Sequence, residues 1–232
     1  MKRPEAKAIL SWSGGKDSAL ALYEIQRAGD YEIRALLTTV TEAYGRSSMH
    51  GIRRPLIEQQ AESLGIPLEE VLLSPVSSNE EYDAKMREML ERYRAEGVST
   101  VVFGDIFLED VRKYREERLA SVGMKGIFPL WGRDTTELAR IFTQLGFQAV
   151  ITCVDTEQMD AGYAGRAFDS GMLASLPAGV DPCGENGEFH SFVYEGPIFK
   201  RAIPHTTGEV VLRDERFMFC DLIPMHQTVD TP

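Results

Sequence analysis

Residues 13–18 read Ser13-Gly14-Gly15-Lys16-Asp17-Ser18, setting hydroxyls, an ammonium and a carboxylate around a pair of glycines. Those groups suit a phosphate. Gly14 and Gly15 carry no Cβ, so the backbone takes unusual dihedrals and its N–H groups can come close to an anion. Ser13 and Ser18 add O–H donors, and Lys16 adds a compact positive charge. Asp17 is suited to Mg2+, an ion that favours one or two carboxylates plus phosphate oxygens. The competing explanation is a tight turn whose charges simply meet water. The spacing follows neither G-x-x-x-x-G-K-[ST] nor G-x-G-x-x-G, so neither a P-loop nucleotidase nor a dinucleotide-binding domain is the natural assignment.

The elements on either side must hold this turn in place. Ala8-Ile9-Leu10-Ser11-Trp12 ahead of it is the apolar run of a covered parallel strand. Behind it Ala21, Ile25 and Ala28 recur at helical spacing up to Gly29, a helix stop. The turn therefore joins a strand to a helix, whose positive dipole end would face the phosphate. Further strands are expected at 33–40, 71–73, 100–103 and 149–154. Helices are expected from Pro55 to Leu64, from a Ser78/Glu81 capping box, from Glu109 to about Val122 and from an Asp134/Glu137 cap. The alternation predicts an α/β fold, a parallel twisted sheet with helices on both faces, over residues 1–155. Over 156–232 glycines cluster, and runs such as Val210-Val211-Leu212 and Phe217-Met218-Phe219 read as antiparallel strands of a smaller C-terminal α+β region. The stripe Tyr82, Met86, Met89, Leu90 and Tyr93 is expected in the core rather than at a ligand.

Ligands of such sheets sit beyond the carboxyl ends of the strands. That rule gathers Thr38, Thr39, Thr41 and the Gly104-Asp105 pair near the turn. Asp105 is expected to hold Mg2+ or a substrate amine, with Gly104 letting the ligand approach; an N-cap for the next helix is the alternative for Asp105. Residues 41–54 read as a loop over the strand ends, where His50 either faces a phosphate or is an ordinary surface residue. In Gly184-Glu185-Asn186-Gly187-Glu188-Phe189-His190, Glu185 or Glu188 could bind an ammonium and act as base, and His190 could position a carboxylate or an amide. The competing explanation is a plain hairpin turn at Asn186-Gly187.

The chain has 232 residues and a formal net charge of −11, a field that disfavours broad binding to nucleic acid or anionic membrane. The basic groups Arg53-Arg54 and Arg112, Lys113, Arg115 are expected to be solvated helix faces. Neither a signal segment nor a long apolar run occurs, so a cytoplasmic protein is expected. Cys153, Cys183 and Cys220 are isolated, which argues against a zinc site, a redox pair or a disulfide framework. Cys183 alone lies where a reactive thiol would matter.

The S-G-G-K-D-S turn resembles the pyrophosphate-binding loop of the PP-loop ATP pyrophosphatases. The whole chain is similar to the diphthine-ammonia ligase family, the ATP-binding domain 4 or N-type group. The resemblance rests further on Phe103-Gly104-Asp105-Ile106 with Glu109-Asp110-Val111-Arg112, on Pro129-Leu130-Trp131, and on Gly179-Val180-Asp181-Pro182-Cys183-Gly184-Glu185-Asn186-Gly187-Glu188-Phe189-His190. It implies an adenine nucleotide alpha hydrolase-like fold (the HUP, Rossmann-like class) and ATP and Mg2+ as cofactors. Ser13 to Ser18, Thr38 and Gly104 would then meet the nucleotide, Asp17 the metal, and Glu185, Glu188 and His190 the substrate, with Lys16, Asp105 and Glu188 as the catalytic set. The reaction implied is adenylation of a carboxylate with release of pyrophosphate, then attack by ammonia with release of AMP. No glutaminase segment or N-terminal cysteine is visible, so free ammonium is the expected nitrogen source. The family's acceptor is diphthine on elongation factor 2, although the last block resembles bacterial members, for which another carboxylate is open. A homodimer stays open as well. The rival assignments are a PP-loop sulfurtransferase acting on RNA and a non-catalytic nucleotide-binding regulator.

Overall fold

The computed structural model describes residues 6–47, 51–74 and 78–225; His50, Pro75 and the 228–232 tail lie outside them. Five parallel strands make the first sheet, in the order β4 (Leu68–Leu73), β2 (Tyr31–Thr41), β1 (Ala6–Ser11), β5 (Thr100–Val102) and β6 (Lys125–Ile127). A short antiparallel β3 (Arg46–Ser47) pairs with the end of β2. The chain leaves β1 toward β2 on one side, and β5 returns on the other, so the strand order reverses beside β1. In open α/β sheets ligands bind at that reversal.

Successive residues of a strand point to opposite faces, and the buried set divides accordingly. Ala8, Leu10, Leu36 and Val102 pack under α1 (Lys16–Ala28), α2 (Arg54–Leu64) and α5 (Thr135–Gln144). Ile9, Ala35, Leu37 and Val101 pack under α3 (Asn79–Ala95) and α4 (Glu109–Ser121). Helices thus cover both faces, as the apolar strands require. The caps form where their residue types predict. Gly29 and Gly65 close α1 and α2 at φ 69°, Ser78 accepts from Glu81 N, and Asp134 accepts from Glu137 N.

The second sheet is antiparallel, in the order β8 (Phe189–Glu195), β7 (Gln148–Asp155), β10 (Phe217–Pro224) and β9 (His205–Arg213). The sequence alternation counts β7 with the first region; the structure instead pairs it antiparallel with both β8 and β10. Its residues are buried from Ala149 through Asp155, and a continuous apolar run is equally suited to a parallel strand or to the centre of any covered sheet. A short α6 (Ser170–Ala174) lies between β7 and β8. The core under α1, α2 and α5 runs on without interruption into Phe168, Phe189, Phe192 and Leu222 of this second half.

Candidate active site

The turn opens directly at the end of β1, and α1 starts at Lys16 with Gly15 as its N-cap. Gly14 lies at φ +79°, and a Cβ there would stand 2.6 Å from Ile57 Cδ1 and 2.9 Å from Gln60 Oε1. Gly15, by contrast, has an ordinary extended backbone at φ −92°, so one glycine rather than two supplies the special dihedral. Ser13 Oγ accepts from Gly15 N at 3.2 Å and lies 3.2 Å from Ser18 Oγ, which donates to Gly15 O at 2.9 Å. The hydroxyls therefore brace the turn across its own neck.

Lys16 is not at the surface of a crevice, as a phosphate-gripping lysine would be. Its side chain is 5% exposed; the ammonium donates to the Cys183 carbonyl and, at 2.8 Å, to Asp17 Oδ2. It lies 5.3 Å from the centre of the Phe189 ring. Burial pulls its pKa down, but Asp17 and Glu185 more than offset that and hold the ammonium charged. Asp17 keeps 30% of its side chain exposed. Burial, with Asp181 and Asp105 nearby, pushes its pKa up against the pull of Lys16. A carboxylate crowded by other carboxylates and partly open to solvent is a fitting donor for Mg2+ together with phosphate oxygens. Among the described residues no group of three or more His, Cys, Asp or Glu side chains forms a complete cation cage.

Beside the turn, at the carboxyl ends of β1, β2 and β5, is a cavity of about 430 Å3. Ser11, Ser13, Thr38 and Thr39 form its polar end, which places the expected Thr38 next to the turn. The rest runs between the sheet and the α3/α4 pair, along Met86, Leu90, Phe103 and Tyr114. Tyr82 and Met86, expected in the core, therefore serve two surfaces: they pack on it and also wall the cavity. Asp83 accepts from Tyr114 Oη at 2.7 Å and pairs with Arg118 at 2.6 Å, fixing the rim. Arg112 lies outside this wall, stacked over Trp131 at 4.6 Å.

Gly104 is glycine for a reason other than ligand approach. A Cβ there would stand 2.8 Å from the Asp17 carbonyl carbon and 3.0 Å from Ser18 N, so its bare face admits the first turn of α1. Asp105 does not cap α4, whose N-cap is Leu108; Arg115, itself a residue of the cavity wall, donates to it at 3.1 Å. Glu185 Oε1 accepts from Ile106 N at 2.7 Å, and burial with the nearby Asp17 pushes its pKa up to about 7. It joins the glycine-rich block to the end of β5. Glu188 turns the other way. It is 2% exposed and accepts from Asp181 N, Asn186 N and Asn186 Nδ2 at 2.9 to 3.0 Å. Its oxygens are committed to shaping the loop, so a general-base role for Glu188 does not fit. His190 is held neutral, its pKa depressed to about 4 by burial and by Lys16. Cys183 is buried at 3% with its thiol on Thr135 O, and burial pushes its pKa up, which removes it as a reactive thiol.

Three residues complete the turn without having announced themselves as chemistry. Ser191 Oγ accepts from Lys16 N at 3.2 Å, Val193 N donates to Gly14 O at 2.9 Å, and Gln60 Nε2 donates to the same carbonyl at 3.0 Å. Gln60 did leave a trace: it is a polar residue on the otherwise apolar stripe Leu56, Ile57, Ala61, Leu64, all of it buried. Ser191 and Val193 left none. The basic groups are paired, Arg53 with Asp221, Arg54 with Glu70 and Arg115 with Asp105, so they form no cationic patch. No described helix is long and apolar enough to cross a membrane.

Residues 6–126 match the family model of the diphthamide synthase N-terminal domain, and residues 134–220 that of its C-terminal domain. A bovine diphthine–ammonia ligase is 27% identical over 225 residues, 86% of this chain and 82% of the bovine one. The human diphthine–ammonia ligase is 25% identical over 226 residues, covering 86% and 83%. The Schizosaccharomyces pombe enzyme of that name is 27% identical over 222 residues, which make up 36% of its length. Among solved structures, a U34-tRNA thiolase from Methanococcus maripaludis aligns at TM-score 0.37 and 17% identity, over 61% of this chain and 57% of that one.

Proposed function

The chain belongs to the diphthamide synthase family, and from that membership we propose that it is an ATP-dependent, AMP-forming ligase that joins ammonia to a substrate carboxylate. The named relatives suggest diphthine as the acceptor, and we take elongation factor 2 as the protein that carries it. The observation that carries the reading is the shared wall of Ser13 and Thr38, which puts the start of the turn that leads into α1 on a cavity at the strand-order reversal.

In this reading the base and ribose of ATP enter the cavity and its phosphates meet the turn. A carboxylate oxygen attacks the α-phosphorus, and the bond to the bridging oxygen breaks as pyrophosphate leaves. The departing group gains negative charge, which the α1 dipole and the fixed Lys16 ammonium behind the turn stabilise without having to move. Asp17 would hold Mg2+, which supplies further neutralisation of the phosphates when bound. Ammonia then attacks the acyl-adenylate, AMP departs, and one proton is shed. Glu185 is suited to take that proton, because its pKa of about 7 lies near the working pH. Glu188 holds the loop that carries it.

Incubation with ATP, Mg2+, ammonium and diphthine-bearing elongation factor 2, with AMP and pyrophosphate measured separately, tests this. Equal amounts of both products that depend on the acceptor support the ligase. Tight ATP binding without turnover would make the chain a regulator, and a thiolated RNA product would make it a sulfurtransferase.

A further inference from the structure

The second sheet has two edges of different character. β8 is covered, since Val193 N reaches the Gly14 carbonyl of the turn. β9, His205–Arg213, is the other edge, and none of the described strands pairs with its outer side. Exposed edges are ordinarily blunted by lysine, proline or a bulge near the rim. β9 carries one such irregularity, an extra residue between Thr207 and Val210 relative to β10, but beyond it Val210-Val211-Leu212-Arg213 pairs regularly with β10, has neither lysine nor proline, and leaves Val210 52% and Leu212 48% exposed.

We propose that β9 pairs antiparallel with β9 of a second copy of this chain, about a two-fold axis through Val211, so that the two four-stranded sheets become one continuous sheet. The strand is complementary to itself in that register. Val211 meets its own counterpart once, on the axis, while Val210 against the partner's Leu212 and Glu209 against the partner's Arg213 each occur twice by symmetry. Neither Glu209 nor Arg213 makes an ion pair among the described residues, so both charges are available. Moving the axis one residue in either direction loses this. It sets Arg213 against the partner's Thr207, or Glu209 against the partner's Glu215.

The pleat sorts the contacts by face. Val210 and Leu212 point away from the groove and would form an apolar strip with the partner's Leu212 and the partner's Val210, removing from water side chains that are about half exposed in the single chain. Glu209, Val211 and Arg213 line a groove of about 870 Å3 between β9, β10 and the loop around Arg46 and Arg53. A two-fold axis perpendicular to the sheet leaves both grooves on one side. They become a single trough crossed by the paired Glu209 and Arg213 charges, and each copy supplies part of the other's wall.

Charge reversal and exchange test the register. Sedimentation velocity across a concentration series should show wild-type chain passing from monomer to dimer. Glu209→Arg alone, and Arg213→Glu alone, place like charges opposite each other twice and should weaken the dimer about tenfold or more. The double variant Glu209→Arg with Arg213→Glu restores the attraction and should recover the wild-type constant to within about threefold. Circular dichroism confirms that each variant is folded, as expected for exposed positions. Wild-type chain that stays monomeric at about 100 μM overturns the proposal. So does a dimer indifferent to the single reversals, or a double variant as weak as the singles. The readout is mass, so it stands apart from the ligase reading.

Discussion

Gln60 donates its amide to the Gly14 carbonyl at 3.0 Å. The same side chain, fully buried, donates to Val193 O at 2.6 Å and accepts from Trp12 Nε1 at 2.9 Å. Every hydrogen-bonding group but one lone pair of this amide is used, and it ties α2, the end of β1, the turn and β8 together. Gln60→Leu keeps the volume, leaves the Trp12 indole N–H without its acceptor and takes one donor each from the Gly14 and Val193 carbonyls. It should cost about 2–4 kcal/mol of stability, read as a fall in the urea midpoint, and weaken ATP binding; an unchanged midpoint would remove Gln60 from the bracing of the turn.

Lys16→Ala should lower both stability and turnover. The ammonium is buried with Asp17 and the Cys183 carbonyl, so its loss leaves a carboxylate and a carbonyl without their donor, at about 2–3 kcal/mol. AMP formation should fall roughly 100-fold or more if the fixed charge stabilises the leaving pyrophosphate. Melting curves and product assays on the same sample separate the two effects. A fall in stability with full turnover would make Lys16 purely structural.

Gly104→Ala should act through the first turn of α1 rather than by crowding a ligand itself. The added Cβ falls 2.8 Å from the Asp17 backbone, which cannot yield as a flexible side chain would, and overpacking of this kind costs about 1–3 kcal/mol. Because it pushes at the first turn of α1, the ATP dissociation constant should rise about tenfold. Calorimetric titration with a non-hydrolysable ATP analogue measures it.

Glu185 predicts a pH dependence whose sign is fixed. Its native pKa of about 7 exceeds the free value of 4.5, so its contribution to stability is full below 4.5 and lost as pH rises through 7. Glu185→Gln abolishes this titration. The stability of the wild type relative to the variant should therefore decline between about pH 4.5 and 7 and level off above it, as read from urea midpoints. A pH-independent difference would mean that Glu185 ionises normally. If it also takes the proton in the ammonia step, the acid limb of the rate profile should vanish in the variant.

Met86→Trp fills the cavity from α3 without touching the turn. Met86 is only partly buried, so the melting temperature should change little while ATP affinity falls at least tenfold. Unchanged affinity would put the base of ATP outside this cavity.

Local signals were legible in the sequence, and distant ones were not. Gly29, Gly65, Ser78 and Asp134 end or begin helices through contacts within a few residues, and their side-chain chemistry announces it. The direction of Lys16 depends on Cys183, 167 positions away, and nothing in S-G-G-K-D-S distinguishes a lysine that faces a phosphate from one that faces the core. Glu188 likewise reads as a free carboxylate until the loop from Asp181 to Asn186 folds its N–H groups onto it. The sheet to which β7 belongs was hidden because an apolar run does not encode the direction of its neighbours.

The bond from Val193 to Gly14 has one more consequence. The glycine-rich turn is clamped from a strand of the second sheet, so whatever stiffens it also stiffens that sheet. Occupancy by ATP should slow amide hydrogen exchange as far away as β8, and a fragment ending before Phe189 would carry the whole glycine-rich motif yet lack the fastening that gives it shape.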